Sequence, residues 1–107
     1  MAWKVAGKDL EMCEGDWGIA LPITISGTTL TASDEVLFTL KNKLNGTTVL
    51  TKAFSNISQN TISLSLTESE SDSLAVGTYV YSLDWYQSEM FVCNLVPTAL
   101  FKVVDKA

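Results

Sequence analysis

The chain has 107 residues, 47% of them hydrophobic and 18% charged, with seven basic against twelve acidic side chains for a formal charge of -5. That balance excludes an intrinsically disordered chain and suits one domain, residues 1–107, long enough to bury a core without metals or disulfides. It also repels a phosphate backbone, so nucleic acid is not an expected partner, and Lys41, Lys43 and Lys52 are too few to make a basic patch.

In chain order, the first eight residues carry few apolar anchors and are expected to fray. No charged segment precedes an apolar one at the start, and no apolar run approaches the roughly 20 residues that cross a bilayer, so neither an export signal nor a membrane partner is expected. In "WGIALPITIS", Ile19, Leu21, Ile23 and Ile25 share one face and Ala20, Pro22, Thr24 and Ser26 the other, which predicts a strand with one wall on a core. Pro22 lacks a backbone donor and marks a sheet edge or a switch between sheets. "EVLFTLK" turns Val36, Phe38 and Leu40 inward, and the next segment, 47–55, is expected to pair with it antiparallel across Asn45-Gly46, a pair suited to a type I′ turn. "NTISLSL" sets Ile62, Leu64 and Leu66 on one face.

"LTESESDSLAVG" carries the one helix signal, a capping box between Thr67 and Glu70, with room for about one turn before Gly77 stops it. Gly77-x-Tyr79 then opens a long alternating strand after Leu74. This is the layout of a tyrosine corner, in which the hydroxyl returns to the backbone upstream and Gly77 supplies a conformation that a Cβ resists. Tyr79, Tyr81, Leu83 and Trp85 share one face of that strand, and "QSEMFVCNLV" and "TALFKVVD" supply two final strands flanking Pro97. The fold class expected is all-β, an immunoglobulin-like antiparallel β-sandwich of about seven to eight strands with one short helical turn.

Chemistry is sparse. The chain has no histidine, which removes the usual general base and metal ligand, and neither a serine elbow nor a phosphate-binding glycine loop is present. Cys13 and Cys93 lack zinc-site spacing and are expected as reduced thiols, a bridge requiring the first and last strands to be neighbours. Glu68, Glu70 and Asp72 splay around one helical turn and are expected to be a solvated face, while Gly15-Asp16 and Asp34 read as turn residues whose carboxylates bond nearby amides. The tripeptides Asn45-Gly46-Thr47 and Asn56-Ile57-Ser58 fit the glycosylation pattern and are taken as accidental in a chain without export. No catalytic residue, cofactor or metal is expected. Among Trp3, Trp17, Trp85, Tyr86 and Phe91, the cluster of Trp85 and Tyr86 beside Met90 and Phe91 is the candidate interface, because two sheets cannot cover both faces of one hairpin.

The ordered set "EGDWGIALPITISG", "SDEVLFTLK", "ISLSLTESESDSLAVGTYVYSLDW" and "LFKVVD" resembles the small immunoglobulin-like proteins of bacterial prophages and is similar to the N-terminal domain of phage baseplate upper proteins. The residues that carry it are Gly15 and Asp16, then Asp34, Phe38 and Lys41, then Leu74, Gly77 and Tyr79, over about residues 9–105. The resemblance implies a non-enzymatic part of a phage tail or baseplate, assembled in the bacterial cytoplasm into the virion. Its partners would be copies of itself or neighbouring tail proteins. The final hairpin is more apolar than the family pattern, pointing to a different partner surface. The alternative is a carbohydrate- or cell-surface-binding module in which Trp85, Tyr86 or Trp17 stacks on sugar rings. An enzyme using carboxylates alone has no pair of suitable spacing to recommend it.

Overall fold

A computed structural model of the chain describes residues 3–6, 9–18, 20–25, 30–31, 33–43, 46–55, 57 and 60–105. Ile19, Ser26, Asn45, Asn56 and Ser58 lie outside the described residues, as does part of each glycosylation tripeptide. The elements are β1 (Trp3–Ala6), β2 (Asp9–Cys13), β3 (Leu21–Thr24), β4 (Asp34–Lys41), β5 (Thr48–Phe54), β6 (Thr61–Leu64), α1 (Glu68–Asp72), β7 (Gly77–Gln87) and β8 (Met90–Val104). Six strands form one sheet in the order β1-β2-β8-β7-β4-β5, and β3 pairs with β6 in a second. The only parallel pair among these is β2 with β8.

The chain is therefore an all-β sandwich, and alternation builds it. On β4, Val36, Phe38 and Leu40 are wholly buried, and they meet Tyr81 and Leu83 of β7 and Phe101 and Val103 of β8 in one core. Phe38 stacks on Tyr81 with ring centroids 5.5 Å apart and lies 6.2 Å from Phe101. Ile62, Leu64 and Leu66 close the core from the smaller sheet, with Ile25, Leu30 and Leu74 sealing its margins. Pro22 sits on β3, whose one partner among the described strands is β6, so its missing donor breaks no described ladder on the other side.

Several expectations need correction. Residues 1–8 were expected to fray, yet Trp3–Ala6 pair antiparallel with β2. The two strands expected on either side of Pro97 are one strand, β8. Its register against β7 shifts three times, each shift leaving an extra residue on β8, and Pro97 lies within one of these bulges between the Tyr81–Ala99 and Leu83–Val96 pairs. A bulge already forgoes a ladder bond, so proline costs little there.

Helix α1 ends at Asp72, with Ser73 as its C-cap, and Gly77 instead begins β7. Gly77 has no positive φ, and a Cβ built there meets open space, so the conformational reason expected for this glycine does not apply. The β4–β5 connection likewise does not use Gly46 for positive φ. The Gly46 N–H donates to the Lys43 carbonyl at 2.9 Å, and a Cβ there would collide with Asn42 and Lys43, so the glycine is needed for close approach. Antiparallel pairing of β4 with β5 is as expected from the alternation.

β2 and β8 are neighbours, but Cys13 lies opposite Val104, eleven residues along β8 from Cys93. At about 3.3 Å per residue that separation is roughly 36 Å, and both thiols are free.

Candidate functional site

The β7–β8 hairpin turns through Ser88 and Glu89, with φ of 47° and 66°, between the paired residues Gln87 and Met90. Two positive φ values in a two-residue connection match the strand twist, but without glycine or asparagine each costs roughly 1 kcal/mol. The tight turn brings Tyr86 opposite Phe91, whose rings meet edge to face at 5.7 Å. Beyond them Met90, Phe91 and Val92 are 71%, 54% and 40% exposed. β2 pairs only with Phe101–Val104, so the preceding stretch of β8 has β7 as its single neighbour among the described strands. The result is an apolar edge open to solvent.

The four residues expected at this interface do not all share a surface. Tyr86, Phe91 and Met90 gather at the hairpin end. Trp85 points to the opposite side of β7, half-buried against the core, with its indole Nε1 buried and without a hydrogen-bond partner. Trp17, 52% exposed, lies beside Gly18, whose N–H donates to the Leu66 carbonyl near the other end of the sandwich. Trp17, Trp85 and Tyr86 therefore lie on three separate surfaces.

Asp34 is the turn residue expected, its carboxylate bonding a nearby amide, and it is also buried, at the start of β4 in register with Gln87. Its Oδ2 accepts from the Thr31 N–H at 2.8 Å and from the Thr31 hydroxyl at 3.3 Å. That backbone N–H holds the carboxyl below its usual value, against the opposing effect of burial. Oδ1 is buried without a hydrogen-bond partner, as is the nearby indole Nε1. This polar pair was not legible in the sequence, where Asp34 carried only a turn signal.

At the other end, the Tyr79 hydroxyl donates to the Ala75 carbonyl at 2.8 Å, spanning the link between α1 and β7, while Leu74 is buried beneath it. Glu70 completes the capping box, accepting from the Thr67 N–H at 2.8 Å while its own N–H donates to the Thr67 hydroxyl at 3.2 Å. Glu70 is more than a solvated acid. Lys52 of β5 donates to its Oε1 at 2.7 Å and to the Ser65 carbonyl at 2.6 Å, bridging the two layers. Partial burial pushes the Glu70 carboxyl up, but Lys52 and the Thr67 N–H outweigh it and hold the group below its usual value. Burial, reinforced by Asp9, pushes the Tyr81 phenol up to about 12.

On the outer face of the large sheet, Glu35, Val36, Leu37, Ala53, Tyr86 and Glu89 line an open groove of about 270 Å³. Among the described residues no group of three or more potential ligands could hold a metal ion, and no helix is long and apolar enough to cross a membrane. No protein family, curated protein or solved structure matches this chain.

Proposed function

We propose that this chain is a non-enzymatic structural or assembly module of a phage or prophage tail or baseplate, acting through protein–protein contacts at the β7–β8 hairpin. The observation that carries the contact is the exposed run Met90, Phe91 and Val92 on an edge with one strand neighbour. Apolar side chains at such an edge gain most when a partner covers them. The phage setting rests on the resemblance through Gly15, Asp16, Asp34, Phe38, Lys41, Leu74, Gly77 and Tyr79. On this reading the sandwich is immunoglobulin-like, the positions that carry the resemblance hold the frame, and the hairpin meets the partner.

The bulges and Pro97 refine the mode of contact. Both devices hinder a new strand from adding to an edge, so the partner is expected to take Met90 and Phe91 as side-chain anchors in a pocket of its own. Mass spectrometry of gradient-purified particles from an induced culture of the source bacterium tests the reading. Peptides of this chain at a fixed ratio to tail proteins are expected. Abundant particles lacking the chain, with the chain present in the lysate, would overturn it.

A further inference from the structure

On the outer face of the six-stranded sheet, the two ends of β4 carry opposite charges. Side chains alternate along β4, and because Val36, Phe38 and Leu40 point into the core, Glu35, Leu37, Thr39 and Lys41 point out. Glu35 stands at one end of the strand and Lys41 at the other, about 20 Å apart. On the neighbouring strand Tyr86 lies beside Glu35, Asp84 beside Leu37, Ser82 beside Thr39 and Val80 beside Lys41. Beyond Val80, β8 contributes Leu100, which is exposed. The groove lies at the acidic end, with Glu35 and Glu89 in its walls and Leu37, Ala53 and Tyr86 among its lining. Among the described residues none of Glu35, Glu89 and Lys41 has an ion-pair partner.

We infer that a second copy of this chain covers this face, in a two-fold dimer whose axis lies between the sheets and runs across the strands. Such an axis sets each strand over its own counterpart in the opposite direction. Glu35 of each copy then lies over Lys41 of the other, and Tyr86 lies over Val80. The lysine stem fills the groove along Leu37 and Tyr86, and its ammonium lies between Glu35 and Glu89. The same rotation sets Tyr86 over Val80 and Glu35 over Lys41, and leaves Asp84 over the Ser82 hydroxyl, whereas a parallel stacking of two copies would set Glu35 over Glu35 and Lys41 over Lys41. Sheets packed face to face about 10 Å apart leave room for these side chains to interdigitate. A two-fold contact is self-complementary, so each favourable pair occurs twice.

The chain's net charge of -5 works against association in general. It makes the local match decisive, because copies joined elsewhere would keep the repulsion without the compensation. The inference concerns the isolated protein in solution and stands whether or not the chain belongs to a particle.

Charge swaps test it by sedimentation velocity, with circular dichroism as the check on folding. The wild-type protein is expected to dimerise. Glu35→Lys alone and Lys41→Glu alone should each weaken the dimer roughly ten- to a hundredfold, since each converts two attractive pairs into two repulsive ones. Glu35→Lys combined with Lys41→Glu should restore it. Mixing the two single variants should give a heterodimer, in which every pair is again opposite in sign. A wild-type protein that stays monomeric at its highest soluble concentration would overturn the inference. So would a dimer indifferent to the single reversals, or a folded double variant that stays monomeric.

Discussion

The large sheet ends differently on its two sides around the β4–β7 centre. On one side β5 is an edge strand, and it carries Lys52 turned inward, tied to the Ser65 carbonyl and to Glu70 of α1. An inward-pointing charge on an edge strand opposes pairing with another chain, because sliding a new strand alongside would disturb a group the fold needs. On the other side the first half of β8 has no such device in its side chains: Met90 to Ala99 contains no charged residue, and Met90, Phe91 and Val92 are exposed. Its protection lies in the backbone, through three bulges and Pro97. One edge is closed by electrostatics and the other is left apolar but irregular. The first looks built to stay alone, and the second to offer side chains to a partner.

The most disruptive way to break this contrast is Lys52→Glu. It removes the clasp, leaves the Ser65 carbonyl without its ammonium donor and sets two carboxylates against each other between the layers. Both partners of the native pair are about a quarter exposed, at 21% and 26%, so solvent moderates the effect. The expected loss is about 2 kcal/mol, read as a lower urea midpoint at unchanged slope. An unchanged midpoint would mean that the clasp is ornamental and that β5 is held by β4 alone.

A smaller effect follows from pH. The Glu70 carboxyl is lowered in the fold from its ordinary 4.5, so the stability it contributes is present above that value and is lost as pH falls through the folded value. Glu70→Gln should therefore be less stable than the wild type at neutral pH and should converge on it as pH falls through the lowered folded value. Asp34, also lowered, acts in the same direction and is untouched by this variant, so a residual acid dependence is expected in both proteins. Tyr81 lies on the alkaline side: its contribution is intact below pH 10.0 and is lost as pH rises towards about 12. Parallel stability curves for Glu70→Gln and wild type from pH 7 to 3 would contradict the account of the clasp.

The contrast between the edges was only half legible in the sequence. Alternation marked Val36, Phe38 and Leu40, and Ile62, Leu64 and Leu66, as core, because period-two burial is written directly into strands with one dry face. The capping box was legible for the same local reason, with both of its bonds spanning three residues. Lys52 and Glu70 were not, because they are eighteen residues apart and meet only when two layers close. The continuity of β8 through Pro97 was hidden because proline reads as a breaker wherever no bulge is known to receive it. The Asp34 turn was legible, and its carboxylate bonds the Thr31 amide as expected, but its burial beside Trp85 and Gln87 was not, because an exposed turn aspartate and a buried one have the same sequence signature. At the candidate interface, composition located the aromatic and sulfur side chains, but the pleat decided that Tyr86 and Trp85 face opposite ways.

The smallest expected effect is the most informative about the open edge. Met90 is 71% exposed and Phe91 54%, so Met90→Ser should change stability by no more than about 0.5 kcal/mol and Phe91→Ser should cost about 1 kcal/mol. Loss of the Phe91 ring also removes its edge contact with Tyr86, which sets Phe91→Ser as the larger of the two. Thermal unfolding followed by circular dichroism checks both. Losses well above these figures would show that the hairpin end is packed for the benefit of the fold, and the difference between the edges would then be one of degree. Values this small separate the two cases, because exposed apolar side chains that contribute little to the folded monomer are the ones whose retention calls for a partner.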